Sequence, residues 1–392
     1  MHGIPVISAN ADSMIELLGE LVSHPSQGGI DSPQPLLNVI SNWLDGQGIA
    51  HHWLRGDNGD PLGIWGEIKG QRNGPTYLLN ACADTAPFGE RATWRHPPDR
   101  PTIEDGWMYG RGSADSKAGI AVFCHILADL AQDREPFAGS LGFVFDAEEH
   151  TGAFSGIYSY MRLRGSEPIA GVMIGYPGND RLVTGGRGFL RARLTIHGVS
   201  AHSGASGNQG VNAIERAAVL MNLLSTQPLP TSDEAFALPP RITVTGLRGG
   251  GSYSLVPDHC ELELDIRLTP AFTDVQARQL VEKLVAQEES TSLTLRTDIM
   301  WQTGWPAYRL DPTQPMVQAL AAAAAKAFGH DVPTAVVGPS SIANYLSTLG
   351  IPATAGLGVT YRDIHAPNEC VRLDSLAPTF SAYREALRQL LR

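Results

Sequence analysis

The order of strand-like and helix-like segments changes once along the chain, between residues 187 and 298, and that change constrains the fold more than any other feature. Before it, residues 12–23 place Met14, Ile15, Leu17, Leu18, Leu21 and Val22 at helical spacing behind Asp12 and Ser13. A second helical pattern covers 35–44, and strands are expected at 63–68 and 76–80, separated by a polar turn. The apolar stretch 118–130 reads as a buried helix, and 141–145 as a short buried strand. Alternation of this kind implies an α/β layer architecture, whose ligands lie beyond the carboxyl ends of the strands. From 187 the order becomes strand (189–197), helix (211–224), strands (242–246 and 260–268), helix (274–289) and strand (293–298). This βαββαβ order is ferredoxin-like and reads as an inserted second domain. Afterwards the α/β pattern resumes, with helices at 316–328, 340–349 and from 375, and strands at 334–337 and 353–357.

Two domains also suit the length, since 392 residues exceed what one hydrophobic core usually serves. No apolar run approaches the ~18–20 residues of a membrane span, and the first nine residues lack the pattern of a secretory signal. A net charge of −11 argues against nucleic-acid binding, which needs clustered Lys and Arg. Cys82, Cys124, Cys260 and Cys370 are widely spaced without CxxC pairs, as expected of reduced thiols in a cytoplasmic protein.

Four chemistry-bearing places stand out. Cys82 and Asp84, two apart at a strand end, point to the same side. Asp115 closes the glycine-bearing loop Gly110-Arg111-Gly112-Ser113-Ala114-Asp115 at the entry to the buried helix, where a lone Asp is most often a cap. Glu148 and Glu149 are adjacent after a strand; such a pair can divide labour, one binding a metal and the other taking a proton, or it can be a solvated acidic turn. His365 lies in a loop without helical periodicity.

Together these segments resemble the co-catalytic metallopeptidase and deacylase family that includes acetylornithine deacetylase, succinyl-diaminopimelate desuccinylase, carboxypeptidase G and aminoacylase-1. The family's HxDxxP is similar to Cys82-Ala83-Asp84-Thr85-Ala86-Pro87, its GRGxxDxKGG to 110–119 with Ala118 for one Gly, and its DEExxG to 147–152. Ala201-His202-Ser203, Gly210-Val211-Asn212-Ala213, Leu255-Val256-Pro257-Asp258, Asp265-Ile266-Arg267 and His365-Ala366-Pro367-Asn368-Glu369 look like its remaining motifs. The resemblance implies a zinc-aminopeptidase-like three-layer catalytic domain (1–186 and 299–392) with an inserted ferredoxin-like α+β lid and dimerisation domain (187–298). It implies a homodimer acting on a small molecule. Asp115, Glu149 and His365 would be metal ligands, Glu148 the general base and Asp84 the acid behind the ligands. His202 would reach from the lid, in a partner subunit, to polarise the scissile carbonyl, and Arg267 would hold the lid or a substrate carboxylate.

The chain departs from the pattern at two positions assigned to one metal. Cys82 replaces a His, and Tyr176, in Ile174-Gly175-Tyr176-Pro177, replaces an acidic residue. Two expectations follow: a single divalent ion (zinc, manganese or cobalt), or a second site rebuilt from Cys82 and Tyr176. Cysteine binds zinc well, whereas a phenol with a pKa of about 10 must first lose its proton, so one ion is favoured. Tyr176 could instead donate a hydrogen bond to developing charge. Ser254 replaces a common Asn, and 338–344 lacks the Asp and Arg of a G-T-S-D-x-R-like segment, which removes part of the usual grip on an amino-acid carboxylate. Arg187, Asn344 and Arg362 are candidate replacements. The expected activity is hydrolysis of a small acyl or aminoacyl amide; the alternatives are an aminohydrolase of an activated aromatic amine and a catalytically silent binding protein.

Overall fold

The computed structural model describes residues 7–392, apart from 134, 208, 233, 235 and 291–295. The chain divides into two compact units. The first comprises Met1–Thr184, Leu310–Ala335 and Leu349–Arg392, and the second comprises Gly185–Arg309 and Val336–Thr348.

In the first unit six strands form one mixed sheet, in the order His52–Arg55, Pro61–Lys69, Ala138–Asp146, Arg72–Cys82, Gly171–Ile174 and Ala353–Thr354. Arg72–Cys82 is the inner strand, parallel to a neighbour on each side. That position explains why Tyr77 to Cys82 are all buried: a parallel strand covered on both faces reads as a continuous run rather than an alternation. The register pairs Cys82 with Asp146 on the parallel neighbour. The chain therefore leaves both strands at the same level and on the same edge, which brings 83–84 beside 147–150. Helices Ile7–Val22, Ala118–Gln132, Pro315–Phe328 and Leu376–Leu390 pack on one another, and Ser155–Arg164 packs on the strands.

A small sheet in the same unit was not expected from the sequence. Its order is Tyr361–Arg362, Cys370–Arg372, Trp107–Tyr109 and Thr102–Glu104. Strands of two or three residues carry too little periodicity to be read, yet this sheet ties the loop containing His365 to the segment that leads into Asp115. Residues 353–357 were expected to form one strand; Ala353–Thr354 pair with Gly171–Ile174, and Ala355 turns to an isolated antiparallel bridge with Val183.

The second unit is a four-stranded antiparallel sheet in the order Arg241–Gly249, His259–Leu268, Gly188–His197 and Arg296–Trp305, with helices Ala213–Thr226 and Asp274–Glu289. Strict alternation selects its core: Leu190, Ala192, Leu194 and Ile196 on one strand and Leu262, Leu264, Ile266 and Leu268 on the next are buried. Ala217, Leu220, Leu224, Val281 and Leu284 on the helices meet them, and each large aliphatic side chain buried here contributes about 1.5–3 kcal/mol. Asn212 caps the first helix, and Thr273 with Gln276 forms a capping box on the second. The last strand runs on to Trp305, so the unit reaches Arg309 and takes in Val336–Thr348, beyond the 187–298 read from the sequence. Residues 293–295 of the expected strand lie outside the described residues.

The four cysteines are buried free thiols, and no helix among the described residues is long and apolar enough to cross a membrane.

Candidate active site

Asp115 is positioned from behind by a buried ion pair. Arg111 Nη1 donates to Glu369 Oε2 over 2.6 Å, with the two side chains 2% and 0% exposed. The other oxygen, Glu369 Oε1, accepts the backbone N–H groups of Ala114 and Asp115 at 3.0 and 3.2 Å. The carboxylate of Glu369 thus fixes the turn Ser113–Lys117 that presents Asp115, and the Asp115–Ser116 peptide within it is cis. Burial raises the pKa of Glu369, while Arg111 opposes the shift. Gly112 enters the turn at φ +79, a conformation that suits glycine. After the turn the helix Ala118–Gln132 approaches the end of strand Gly171–Ile174 so closely that a Cβ at Gly119 would collide with the Gly175 carbonyl oxygen.

The loop carrying His365 is held in an unusual backbone shape. Asp363, His365 and Asn368 all have positive φ, at 55, 61 and 67. The Ala366 N–H donates to the Asp363 carbonyl, the Asn368 side-chain oxygen accepts the Arg95 N–H at 2.6 Å, and Arg111 Nη2 donates to the His365 carbonyl. These bonds aim the imidazole at Asp115: His365 Nε2 lies 3.0 Å from Asp115 Oδ2.

A third side chain meets them, and the sequence reading passed over it. His150 Nε2 is 3.3 Å from His365 Nε2 and 3.6 Å from Asp115 Oδ2. Its other ring nitrogen faces Asp84 Oδ2 at 3.5 Å. Asp84, almost fully buried, also accepts the backbone N–H groups of Glu149 at 3.0 Å and His150 at 2.8 Å. Adjacency to the two glutamates was the available signal, but it assigns no direction to an imidazole; only the strand register brings the ring over Asp115.

The remaining sequence-predicted residues take varied places. Cys82 Sγ is 3.5 Å from Asp115 Oδ1 and 3.3 Å from Ser116 Oγ. Burial, then the charges of Asp115, Glu149 and Asp84, push its thiol well up, so Cys82 is a neutral S–H group here. Glu149 Oε2 is buried without a hydrogen-bond partner, and burial followed by the charges of Asp146 and Asp115 raises the pKa of this carboxyl. Glu149 is not among the donors that converge within 4.8 Å of one another; those are Asp115, His150 and His365, and separately Cys82, Asp84 and His150. Glu148 is partly exposed, and its carbonyl accepts from the Thr151 hydroxyl and the Phe154 N–H, which fixes the turn beneath it. Tyr176 is half-buried, two residues beyond strand Gly171–Ile174. Arg362 stacks over the Trp107 ring at 4.1 Å.

Electrostatics in the cluster balance around the imidazoles. Burial disfavours charge on His150, yet the neighbouring carboxylates of Asp115 and Asp84 prevail and push its pKa up to about 11. For Asp115 burial acts upward, but the bonds from His150 and His365 hold its carboxyl far below the usual range. Asp146, completely buried beneath, is raised by burial to about 7, with the Asn80 amide donating to it at 2.8 Å.

In the second unit His202 is exposed, and its Nδ1 accepts the Gly204 N–H at 3.0 Å. When neutral, its proton therefore sits on Nε2, leaving that nitrogen as a hydrogen-bond donor. Arg187, Arg241 and Arg267 are close enough that, after burial, the other two lower the Arg187 pKa. Arg267 pairs with Asp265 at 2.7 Å and points to Ser340 Oγ at 3.5 Å. Asn344 is fully buried with its amide committed to the carbonyls of Arg187 and Pro306 and the N–H of Ser341, so it fixes a turn rather than offering a free amide. Ser254 is exposed, and its carbonyl accepts the Ser203 N–H.

Comparison with known proteins agrees with this architecture. The model for peptidase family M20/M25/M40 matches residues 78–389. Succinyl-diaminopimelate desuccinylase of Bordetella petrii is 27% identical over 394 residues, covering 97% of this chain and 99% of that protein. The protein of that name from Methylobacillus flagellatus is 27% identical over 328 residues, 81% of this chain and 85% of its own. Among solved structures, aminopeptidase PepT of Bacillus cereus superposes with a TM-score of 0.79 at 20% identity, covering 97% of this chain and 98% of that one.

Proposed function

Because the chain belongs to peptidase family M20/M25/M40, whose members hydrolyse amide bonds with the help of metal, we propose that it cleaves a small acyl or aminoacyl amide using one divalent ion held by Asp115, Glu149 and His365. The observation that carries this reading is the buried Asp115 carboxylate, held from behind by Glu369 and Arg111 and faced by His365 Nε2 at 3.0 Å. The donor set fits a divalent cation of the zinc, manganese or cobalt type: carboxylate and imidazole groups converge, and Glu149 adds a buried carboxylate oxygen that lacks any partner. When bound, such an ion supplies a Lewis acid that makes water nucleophilic at neutral pH and polarises a carbonyl.

The chain's own groups do the rest. Glu148, on a turn fixed through its carbonyl, accepts a proton from the attacking water and returns it to the departing nitrogen. His202, with its proton on Nε2, donates a hydrogen bond to the carbonyl oxygen as negative charge develops there, from the partner subunit of a homodimer. Asp84 holds the 149–150 backbone and the His150 ring behind the site. Tyr176 serves as a donor to developing charge. The cations Arg187 and Arg267 favour a substrate with a carboxylate. The working compartment is the cytoplasm.

A screen of N-acyl amino acids, dipeptides and aminoaromatics against the metal-loaded protein tests the reading. Turnover of an amide, falling about 10²–10⁴-fold in Glu148→Gln, supports it. Turnover of aminoaromatics alone would replace it with the aminohydrolase reading, and no turnover with any metal would favour a silent binding protein.

A further inference from the structure

We propose that His150 is a direct metal ligand, so that the ion is held by an Asp115, His150 and His365 triad. The inference rests on the functional reading above, because it concerns the ion that reading requires. Its basis is the geometry of three donor atoms. His365 Nε2 and Asp115 Oδ2 are 3.0 Å apart, His150 Nε2 and His365 Nε2 are 3.3 Å apart, and His150 Nε2 and Asp115 Oδ2 are 3.6 Å apart. A tetrahedral zinc with bonds of about 2.0–2.1 Å holds neighbouring donors about 3.3 Å apart. The three atoms therefore already have the spacing of one face of such a coordination shell.

A second observation is what stands behind the ring. Metal-ligating imidazoles characteristically turn their other nitrogen to a carboxylate that fixes the tautomer and strengthens the donor. His150 Nδ1 faces Asp84 Oδ2 at 3.5 Å, close enough for the carboxylate's charge to act on the ring although no hydrogen bond is formed, and the same oxygen accepts the His150 backbone N–H at 2.8 Å. The side chain two residues before Asp84, on the same side of the strand end, is Cys82, whose thiol is engaged with Asp115 and Ser116. Asp84 thus has an imidazole to orient, and that imidazole is His150. The buried Glu149 Oε2, which has no partner, lies on the adjoining residue. Cys82 and His150 share one pocket, since the register of Cys82 with Asp146 puts the two loops side by side.

X-ray absorption on the full chain loaded with one equivalent of zinc counts imidazoles directly, and an indicator competition gives the affinity. The expected result is two imidazoles in the wild type and one in His150→Gln. Zinc affinity should fall in His150→Gln by more than the roughly 10–100-fold that removing an outer partner causes, and by about that amount in Asp84→Asn, which keeps both imidazoles. One imidazole in the wild type, or unchanged affinity in His150→Gln while His365→Gln loses zinc, would overturn the proposal and leave the functional reading standing. A wild type that takes up no zinc, manganese or cobalt would overturn both. The wild-type count needs no variant to fold.

Discussion

Arg111→Met should be among the most damaging single substitutions outside the ligands themselves. The guanidinium is 2% exposed, its partner carboxylate is 0% exposed, and they meet at 2.6 Å. Removing one member of a buried pair costs about 3–5 kcal/mol, because the other charge is left in a medium that cannot solvate it. Loss of stacking on Trp94, whose ring centre is 4.9 Å away, adds to the cost within that range. Burial already raises the Glu369 pKa, and without Arg111 nothing of comparable strength opposes the shift. The variant's folded state then keeps a proton on Glu369 that the unfolded chain releases above its ordinary pKa of about 4.3, so stability falls as pH rises. Urea unfolding at pH 5 and pH 8 should accordingly show a larger penalty at pH 8. Glu369→Gln added to Arg111→Met removes the stranded charge while its side-chain oxygen can still accept the Ala114 and Asp115 N–H groups, and should recover part of the loss. The chain has two compact units, so the transitions are fitted separately. A penalty below about 1 kcal/mol at pH 8, or a double variant no more stable than the single, would refute the assignment of Glu369 as a buried charged anchor.

Three further outcomes are checked by similar means. Gly119→Ala drives a Cβ into the Gly175 carbonyl and should cost about 1–3 kcal/mol in urea unfolding, whereas Gly46→Ala, which meets nothing within 4 Å, should be neutral or stabilising by up to about 1 kcal/mol. His125 is lowered by burial, its ring bonded to the Ala121 carbonyl and the Ser13 hydroxyl. The unfolded chain therefore binds the extra proton first, and stability should fall as pH drops through and below about 6.5, a dependence that His125→Gln should flatten. In the second unit, Arg216→Met removes the guanidinium that meets the buried Glu288 carboxylate at 2.5 Å, and should destabilise that unit by about 1.5–3 kcal/mol in urea unfolding.

The long elements were legible because their periodicity survives in one sequence. Strand 189–197 buries every second residue, and helix Asp274–Glu289 begins behind a Thr273 cap, so both agree with the structure to within a residue or so. The strands of the small sheet at 102–109 and 361–372 were not, since two or three residues have no period to detect. At the site, the motifs pointed to Asp115 and His365, which the structure brings to 3.0 Å across 250 residues of sequence. His150 escaped because its contribution depends on tertiary register; Arg111 and Glu369 stood within two of the motifs, but their pairing across 258 residues leaves no local signature. Asn344 drew attention as a polar residue in a departed motif, yet burial turned its amide to backbone carbonyls.

The most direct test of the central claim is to strip the full chain with a chelator and follow amide hydrolysis and bound metal together as zinc, manganese or cobalt is added back. The account predicts negligible hydrolysis in the stripped protein and a plateau at one equivalent of ion per chain. Full activity after complete metal removal, or a plateau reached only at two equivalents, would contradict it.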